Sequence, residues 1–180
     1  MKNLVIICFL VLVSCKTSQP TNSVLVNDVV MQQSENCPKS GTCLLELIPN
    51  KSLNFKTDEF GNVYPVIDDG TKTLFKYSFT KNPISDTEDS NYTEIVYAEL
   101  DLTKDLQLQN ETLKEIKMHY GRLCFCKGES GYFPVSKGVF NLTKTAPNLV
   151  KIDVNFIIKK VPQIVSEIHE TVSLKSTTSN

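Results

Sequence analysis

Val150-Lys151-Ile152-Asp153-Val154-Asn155-Phe156-Ile157-Ile158-Lys159 decides the fold. Val150, Ile152, Val154, Phe156 and Ile158 alternate with Lys151, Asp153, Asn155, Ile157 and Lys159. Successive side chains of a strand point to opposite faces, so this period of two puts one face on a core and the other, mostly polar, in water. Ile164, Ile168, Val172 and Leu174 follow, interleaved with mostly polar residues. Two half-buried antiparallel strands joined near Pro162 fit the pattern.

The same period recurs upstream. Leu45 and Leu47 flank Glu46, Leu53 and Phe55 alternate with polar neighbours, and the turn Asp58-Glu59-Phe60-Gly61-Asn62 leads into Val63 to Ile67. After Asp68-Asp69-Gly70, Thr73 to Thr80 places Phe75, Tyr77 and Phe79 on one side, and Tyr92 to Leu100 resumes extended structure beyond a polar loop. Val24 to Met31 is apolar enough for a first strand, but Gln32 to Thr42 returns to loop chemistry with Pro38 and Gly41. The one helical candidate is Glu111 to Met118, with Asn110 as N-cap, a segment short enough to fit a strand equally well. Eight or nine short strands separated by turn signals predict an all-β protein, an antiparallel sandwich or barrel with at most one short helix.

Composition narrows the partners. The chain has 19 basic and 20 acidic side chains and a net charge of −1. Nucleic-acid affinity comes mainly from a basic footprint on phosphates, so nucleic acid is not an expected partner. Arg122 is the only arginine, which also removes the guanidinium fork usual in base and phosphate readout. Without tryptophan, a platform for sugar rings would have to rest on the six tyrosines, which read as strand residues.

At the N-terminus, Lys2 precedes an uninterrupted apolar run, Leu4 to Val13, that ends in Leu12-Val13-Ser14-Cys15. The run would reach about 15 Å as a helix, half of the ~30 Å hydrocarbon core, too short for a spanning anchor. A positive n-region, an apolar h-region and a small residue before cysteine resemble the signal peptide and lipobox of bacterial lipoproteins. The resemblance covers the first fifteen residues and implies cleavage before Cys15, lipid on its sulfur and acylation, palmitate among the usual chains, of the new amine. Two or more acyl chains anchor stably where one anchors marginally. The membrane, reached through Cys15, is thus an expected partner, and the location an oxidising cell envelope. Lys16 and Thr17 are not the aspartate that retains some lipoproteins on the inner membrane, which favours an outer membrane, facing the periplasm. The chain divides into residues 1–14 as signal peptide, 15–36 as lipidated N-terminus and polar tether, 37–175 as a single β domain and 176–180 as a disordered tail.

Cys8 leaves with the signal and Cys15 takes lipid, so the folded part holds Cys37, Cys43, Cys124 and Cys126. Four cysteines in an exported domain imply up to two disulfides. On a straight strand the Cα atoms of Cys124 and Cys126 would stand ~6.6 Å apart with parallel side chains, near the limit for a bridge. The expectation is therefore cross-links from the Cys37–Cys43 loop onto the Cys124–Cys126 strand. Zinc is the lesser alternative, since paired C-x-x-C knuckles and a histidine pattern are missing. A redox pair at Cys-Phe-Cys is another, with only Arg122 and Lys127 nearby to lower a thiol pKa.

Lys127-Gly128-Glu129-Ser130-Gly131 faintly resembles the Gly-Asp-Ser-Gly-Gly around a chymotrypsin-like nucleophile, but the two histidines, His119 and His169, sit in the wrong contexts. The stretch reads as a hairpin loop and as the candidate binding loop. Asp86, Glu88, Asp89 and Asn91 gather oxygen ligands suited to calcium but lack an EF-hand register, so a solvated loop is the default. No metal or other cofactor and no catalytic residue is expected. These features point to an envelope lipoprotein whose β domain binds or scaffolds an envelope protein. An inhibitor or immunity factor of an envelope hydrolase, contacting its target through Glu129 and Ser130, is the first alternative. A small hydrolase using His119, Glu94 or Glu99 is the weakest.

Overall fold

The structure, a computed structural model, describes residues 24–26, 28–85, 87 and 90–174. Cys15, the tether up to residue 23, the acidic residues Asp86, Glu88 and Asp89, and the tail from residue 175 lie outside the described residues. The strands are β1 (Val24–Val26), β2 (Val29–Gln33), β3 (Gly41–Thr57), β4 (Val63–Asp69), β5 (Lys72–Lys81), β6 (Tyr92–Leu100), β7 (Leu106–Gln109), β8 (His119–Cys124), β9 (Gly131–Pro134), β10 (Gly138–Ala146), β11 (Leu149–Phe156) and β12 (Glu167–Ser173). They form an all-β sandwich of two antiparallel sheets. The larger runs β1-β2-β3-β5-β6-β8-β9, with β4 on the far half of β3, and the smaller runs β12-β11-β10-β7.

The decisive stretch behaves as its period requires. Val150, Ile152, Val154 and Phe156 of β11 are buried, while Lys151 and Asn155 are exposed. They meet Phe75, Tyr77 and Phe79 of β5 and Val96, Ala98 and Leu100 of β6 in one core between the sheets. Phe75 and Phe140 pack edge to face with centroids 5.6 Å apart. Each such side chain taken fully from water is worth about 2 kcal/mol, which makes this inter-sheet layer the main source of stability.

β3 departs from the two strands read in the sequence. It is one long strand with a register shift between Ile48 and Lys51, where Asn50 has φ +56°. The irregularity re-aims the alternation. Leu45 and Leu47 face the inter-sheet core, whereas Leu53 packs with Leu74, Ile95 and Tyr97 in a second cluster on the outer face of the larger sheet. The β3–β4 hairpin thus covers that face, and Phe55 stacks on His119 with ring centroids 3.5 Å apart. Gly121 lets this layer close: a methyl group there would lie 2.5 Å from the Tyr132 ring. Gly121→Ala is expected to cost about 1–3 kcal/mol, measured as a lower urea midpoint with an unchanged slope.

Three expectations need correction. Folded structure begins before residue 37, because the backbone of β2 pairs with β3 from Val30 to Gln33 and extends the larger sheet into the segment assigned to the tether. Twelve strands are present among the described residues rather than eight or nine, since β1, β7 and β9 are too short to show a period. The helical segment is a 3-10 helix, Asn110–Ile116, capped by Gln109 rather than Asn110. Gln109 N–H donates to Thr112 Oγ1 at 2.9 Å, and that hydroxyl donates back to Gln109 O at 2.8 Å. Lys117, at φ +51°, ends the helix before Met118.

A buried polar cluster sits among these apolar residues. Gln32 and Glu170 are 2% and 5% exposed, and Gln32 Nε2 donates to Glu170 Oε2 at 2.9 Å. Burial pushes the Glu170 carboxyl above its ordinary value of 4.5, against the hydrogen bonds from Ser34 and Gln32 that favour the charged form. Because the folded state holds this proton more tightly than the unfolded chain, its contribution is complete below pH 4.5 and is lost as the pH rises through the raised value. Glu170→Gln is expected to flatten that fall, seen in the difference between urea midpoints of the two proteins from pH 4 to pH 8.

Candidate functional site

Strand register gathers three loops at one end of the larger sheet. Thr42 of β3 lies opposite Thr80 of β5, Thr80 opposite Thr93 of β6, and Thr93 opposite Leu123 of β8. The segments 34–40, 82–85, 90–91 and 125–130 therefore emerge side by side. Both disulfides are at this end.

Their pairing overturns the cross-links expected from the sequence. Cys37 bonds Cys43, and Cys124 bonds Cys126, with Cα separations of 5.5 and 5.2 Å. The straight-strand estimate fails because β8 stops at Cys124 and the chain turns at Phe125. Both bridges are local, so in the chain-entropy model they stabilise by only about 2.4 and 1.6 kcal/mol, against roughly 4–5 kcal/mol for a bridge spanning eighty residues. With all four sulfurs bonded, none is left as a thiolate for zinc.

The candidate loop Lys127 to Gly131 stands between β8 and β9, and much of it serves its own fold. Glu129 Oε2 accepts from Arg122 Nη1 at 2.9 Å, as does Glu129 O at 3.1 Å. Ser130 Oγ donates to Arg122 O at 3.1 Å, and Gly128 and Gly131 take φ values of +74° and +136°. Arg122 is 7% exposed. These contacts fasten the loop from below and leave Phe125, 84% exposed, as its projecting apolar group, with Lys127 exposed beside it. Ile84 of the neighbouring loop is also exposed.

Beneath the loop a buried network joins the two sheets. Arg122 Nε donates to the Tyr92 hydroxyl at 3.2 Å, and that hydroxyl donates to Glu94 Oε1. Glu94 is 1% exposed, and its two oxygens accept the backbone N–H groups of Ile164 and Val165, each at 2.7 Å. The 157–166 segment, with Ile158, Val161 and Val165 buried, is thereby held over the end of the sandwich. The Tyr120 hydroxyl adds a long contact to Pro162 O at 3.5 Å, and burial raises its pKa.

Other sequence candidates sit apart. His119 lies in a cleft of about 540 Å³ lined by residues including Phe55, Lys114, Met118 and Val135. Its Nδ1 is 2.9 Å from Lys117 O, and burial holds the imidazole below its ordinary pKa despite that hydrogen bond. Burial alone would raise the Glu99 carboxyl, but Leu53 N–H at 2.7 Å and Lys117 Nζ at 3.0 Å prevail and lower it. His169 pairs with Asp153 at 2.9 Å on the exposed face of the smaller sheet. Of the calcium candidates Asn91 alone is described, immediately before β6; among the described residues no cluster of His, Cys, Asp and Glu could hold a metal.

Sequence reasoning missed Phe125 as the projecting group and Glu94 as an internal tie. A signal existed for Glu94: its register puts it on the same inward face as Tyr92, Val96 and Ala98, where a carboxylate must find donors. The chain matches no family model, no curated protein and no solved structure.

Proposed function

We propose that the protein is a bacterial envelope lipoprotein, anchored through acylated Cys15, whose β domain binds or scaffolds an envelope protein without catalysis. The observation that carries this reading is Phe125, 84% exposed on a loop held by its own disulfide and by Arg122. What sets Phe125 apart from the equally exposed Phe60 is its place on a fastened loop beside the exposed Ile84, and an aromatic group held at the centre of an interface carries much of its binding energy.

The path of the chain supports an envelope partner. β1 is antiparallel to β2, with Val24 opposite Met31 and Val26 opposite Val29, while β2 runs toward the disulfide end. β1 is therefore entered from that same end. The link from Cys15 to Val24 spans at most about 30 Å, which would keep the loops near the membrane surface. Lys16 and Thr17 favour the outer membrane, on its periplasmic side. The absence of catalysis is supported by the engagement of Glu94 with two backbone amides and by the stacking of His119 on Phe55. In the inhibitor alternative, Phe125 replaces Glu129 and Ser130 as the group available for insertion.

Metabolic labelling with a fatty-acid analogue tests the anchor. The wild-type chain is expected to carry the label and to sediment with membranes, and Cys15→Ser to lose the label and become soluble with an unchanged circular dichroism spectrum. Label retained on the serine variant would refute the lipid assignment.

A further inference from the structure

Cys124 and Cys126 have one residue between them, so their bond constrains the unfolded chain less than the Cys37–Cys43 bridge does. Nor is it the only tie of the loop. Glu129 and Ser130 already tie the 125–130 segment to Arg122, and Glu129 N–H donates to Cys126 O at 3.2 Å. A bridge that adds less to the fold than its neighbour, on a loop with other ties, can open without loss of the fold.

Access differs between the two bridges. Cys43 is 2% exposed and belongs to the inter-sheet core, with Cys37, itself half-buried, packed against it. Cys124 and Cys126 are half-buried, and Cys124, Phe125, Cys126 and Lys127 line an open surface cavity of about 320 Å³. A thiol can approach the second bridge without opening the sandwich. The Lys127 ammonium is exposed beside it, where positive charge favours both an arriving and a departing thiolate. Exposed disulfides are the exchangeable ones, whereas enclosed structural disulfides resist reduction.

We propose that Cys124–Cys126 is a thiol-exchange site at the binding end, which takes the cysteine thiolate of a partner protein into a mixed disulfide. The partner thiol loses its proton to solvent, and its sulfur attacks one sulfur of the bridge. The S–S bond breaks, the other cysteine departs as a thiolate and takes up a proton, and one disulfide and one thiol are present before and after. Phe125 lies between the two cysteines, so noncovalent docking there would bring a partner thiol to the reacting bond. The exchange chemistry needs neither the lipid on Cys15 nor the identity of the partner.

The test uses the purified full chain in buffers of reduced and oxidised glutathione, with acid quenching, alkylation and peptide mass spectrometry of each cysteine pair. Cys124 and Cys126 are expected to appear as glutathione adducts or free thiols at a ratio of [GSH]²/[GSSG] at least tenfold lower than Cys37 and Cys43 require, with the circular dichroism spectrum unchanged. The double variant Cys124→Ser/Cys126→Ser should retain that spectrum and form no adduct under these conditions. The proposal is overturned if both bridges open over the same range, if Cys37–Cys43 opens first, or if Cys124–Cys126 opens only as the fold is lost. None of these results bears on lipidation, which the labelling of Cys15 decides separately.

Discussion

Glu94→Ala is expected to destabilise the fold by about 3–5 kcal/mol, lowering the urea midpoint by about 2 M. The substitution removes both acceptors of the Ile164 and Val165 N–H groups, each at 2.7 Å, the Val165 bond buried and the Ile164 bond part-buried. A buried donor left without a partner costs about 1–3 kcal/mol; Val165 N–H is such a donor, and Ile164 N–H, nearer to solvent, adds less. It also strands Arg122, which is 7% exposed and reaches Glu94 through the Tyr92 hydroxyl. An uncompensated buried charge adds to the loss, although the remaining bond to Glu129 limits it. Glu94→Gln should cost less, about 2 kcal/mol, because its amide oxygen still serves one N–H while its NH₂ opposes the other. Chemical denaturation of the three proteins at neutral pH measures the series. Equal stability of Glu94→Ala and wild type would show that the end of the sandwich is held by apolar packing alone.

Phe125→Ala should leave stability within about 0.5 kcal/mol of wild type, since the ring makes little contact with the fold. Partner capture, by contrast, should fall at least tenfold, because truncating a central aromatic anchor typically costs 2 kcal/mol or more of binding energy. Phe60, 81% exposed at the β3–β4 turn, supplies the control. It is equally apolar and equally accessible, but it lies outside the disulfide end. Phe60→Ala should retain capture. Quantitative mass spectrometry of crosslinked complexes from native membranes compares the variants, and an equal loss at both positions would reduce Phe125 to one exposed phenylalanine among others.

The fold was legible where a strand keeps one face inward along its whole length, as β11 does. It was not legible where backbone geometry changes face within a strand. Leu45, Leu47, Leu53 and Phe55 share one period in the sequence, but the shift between Ile48 and Lys51 sends the second pair to the opposite side of the sheet. Asn50 with its positive φ is the local cause, and asparagine tolerates that conformation better than most residues. The disulfides depart from the spacing rule for a related reason. Spacing along an ideal strand separates Cys124 from Cys126, while the observed strand ends at the first of them.

The binding end was legible only in part. The glycines and polar residues from Lys127 to Gly131 marked a loop, but polar side chains in a loop can serve the solvent, a partner or the loop itself. Glu129 and Ser130 take the third course because Arg122 rises beneath them. The tie made by Glu94 depends on residues seventy positions away, beyond the reach of any local pattern.

A photoreactive amino acid placed at position 125 in the living cell tests the central claim most directly. Irradiation is expected to join the protein to one envelope protein in high yield, with little product from the same probe at position 60 and none at position 125 when Cys15→Ser releases the chain from the membrane. Equal products from positions 125 and 60, or products at 125 that persist without the anchor, would contradict a membrane-tethered binding protein that acts through its disulfide-bearing end.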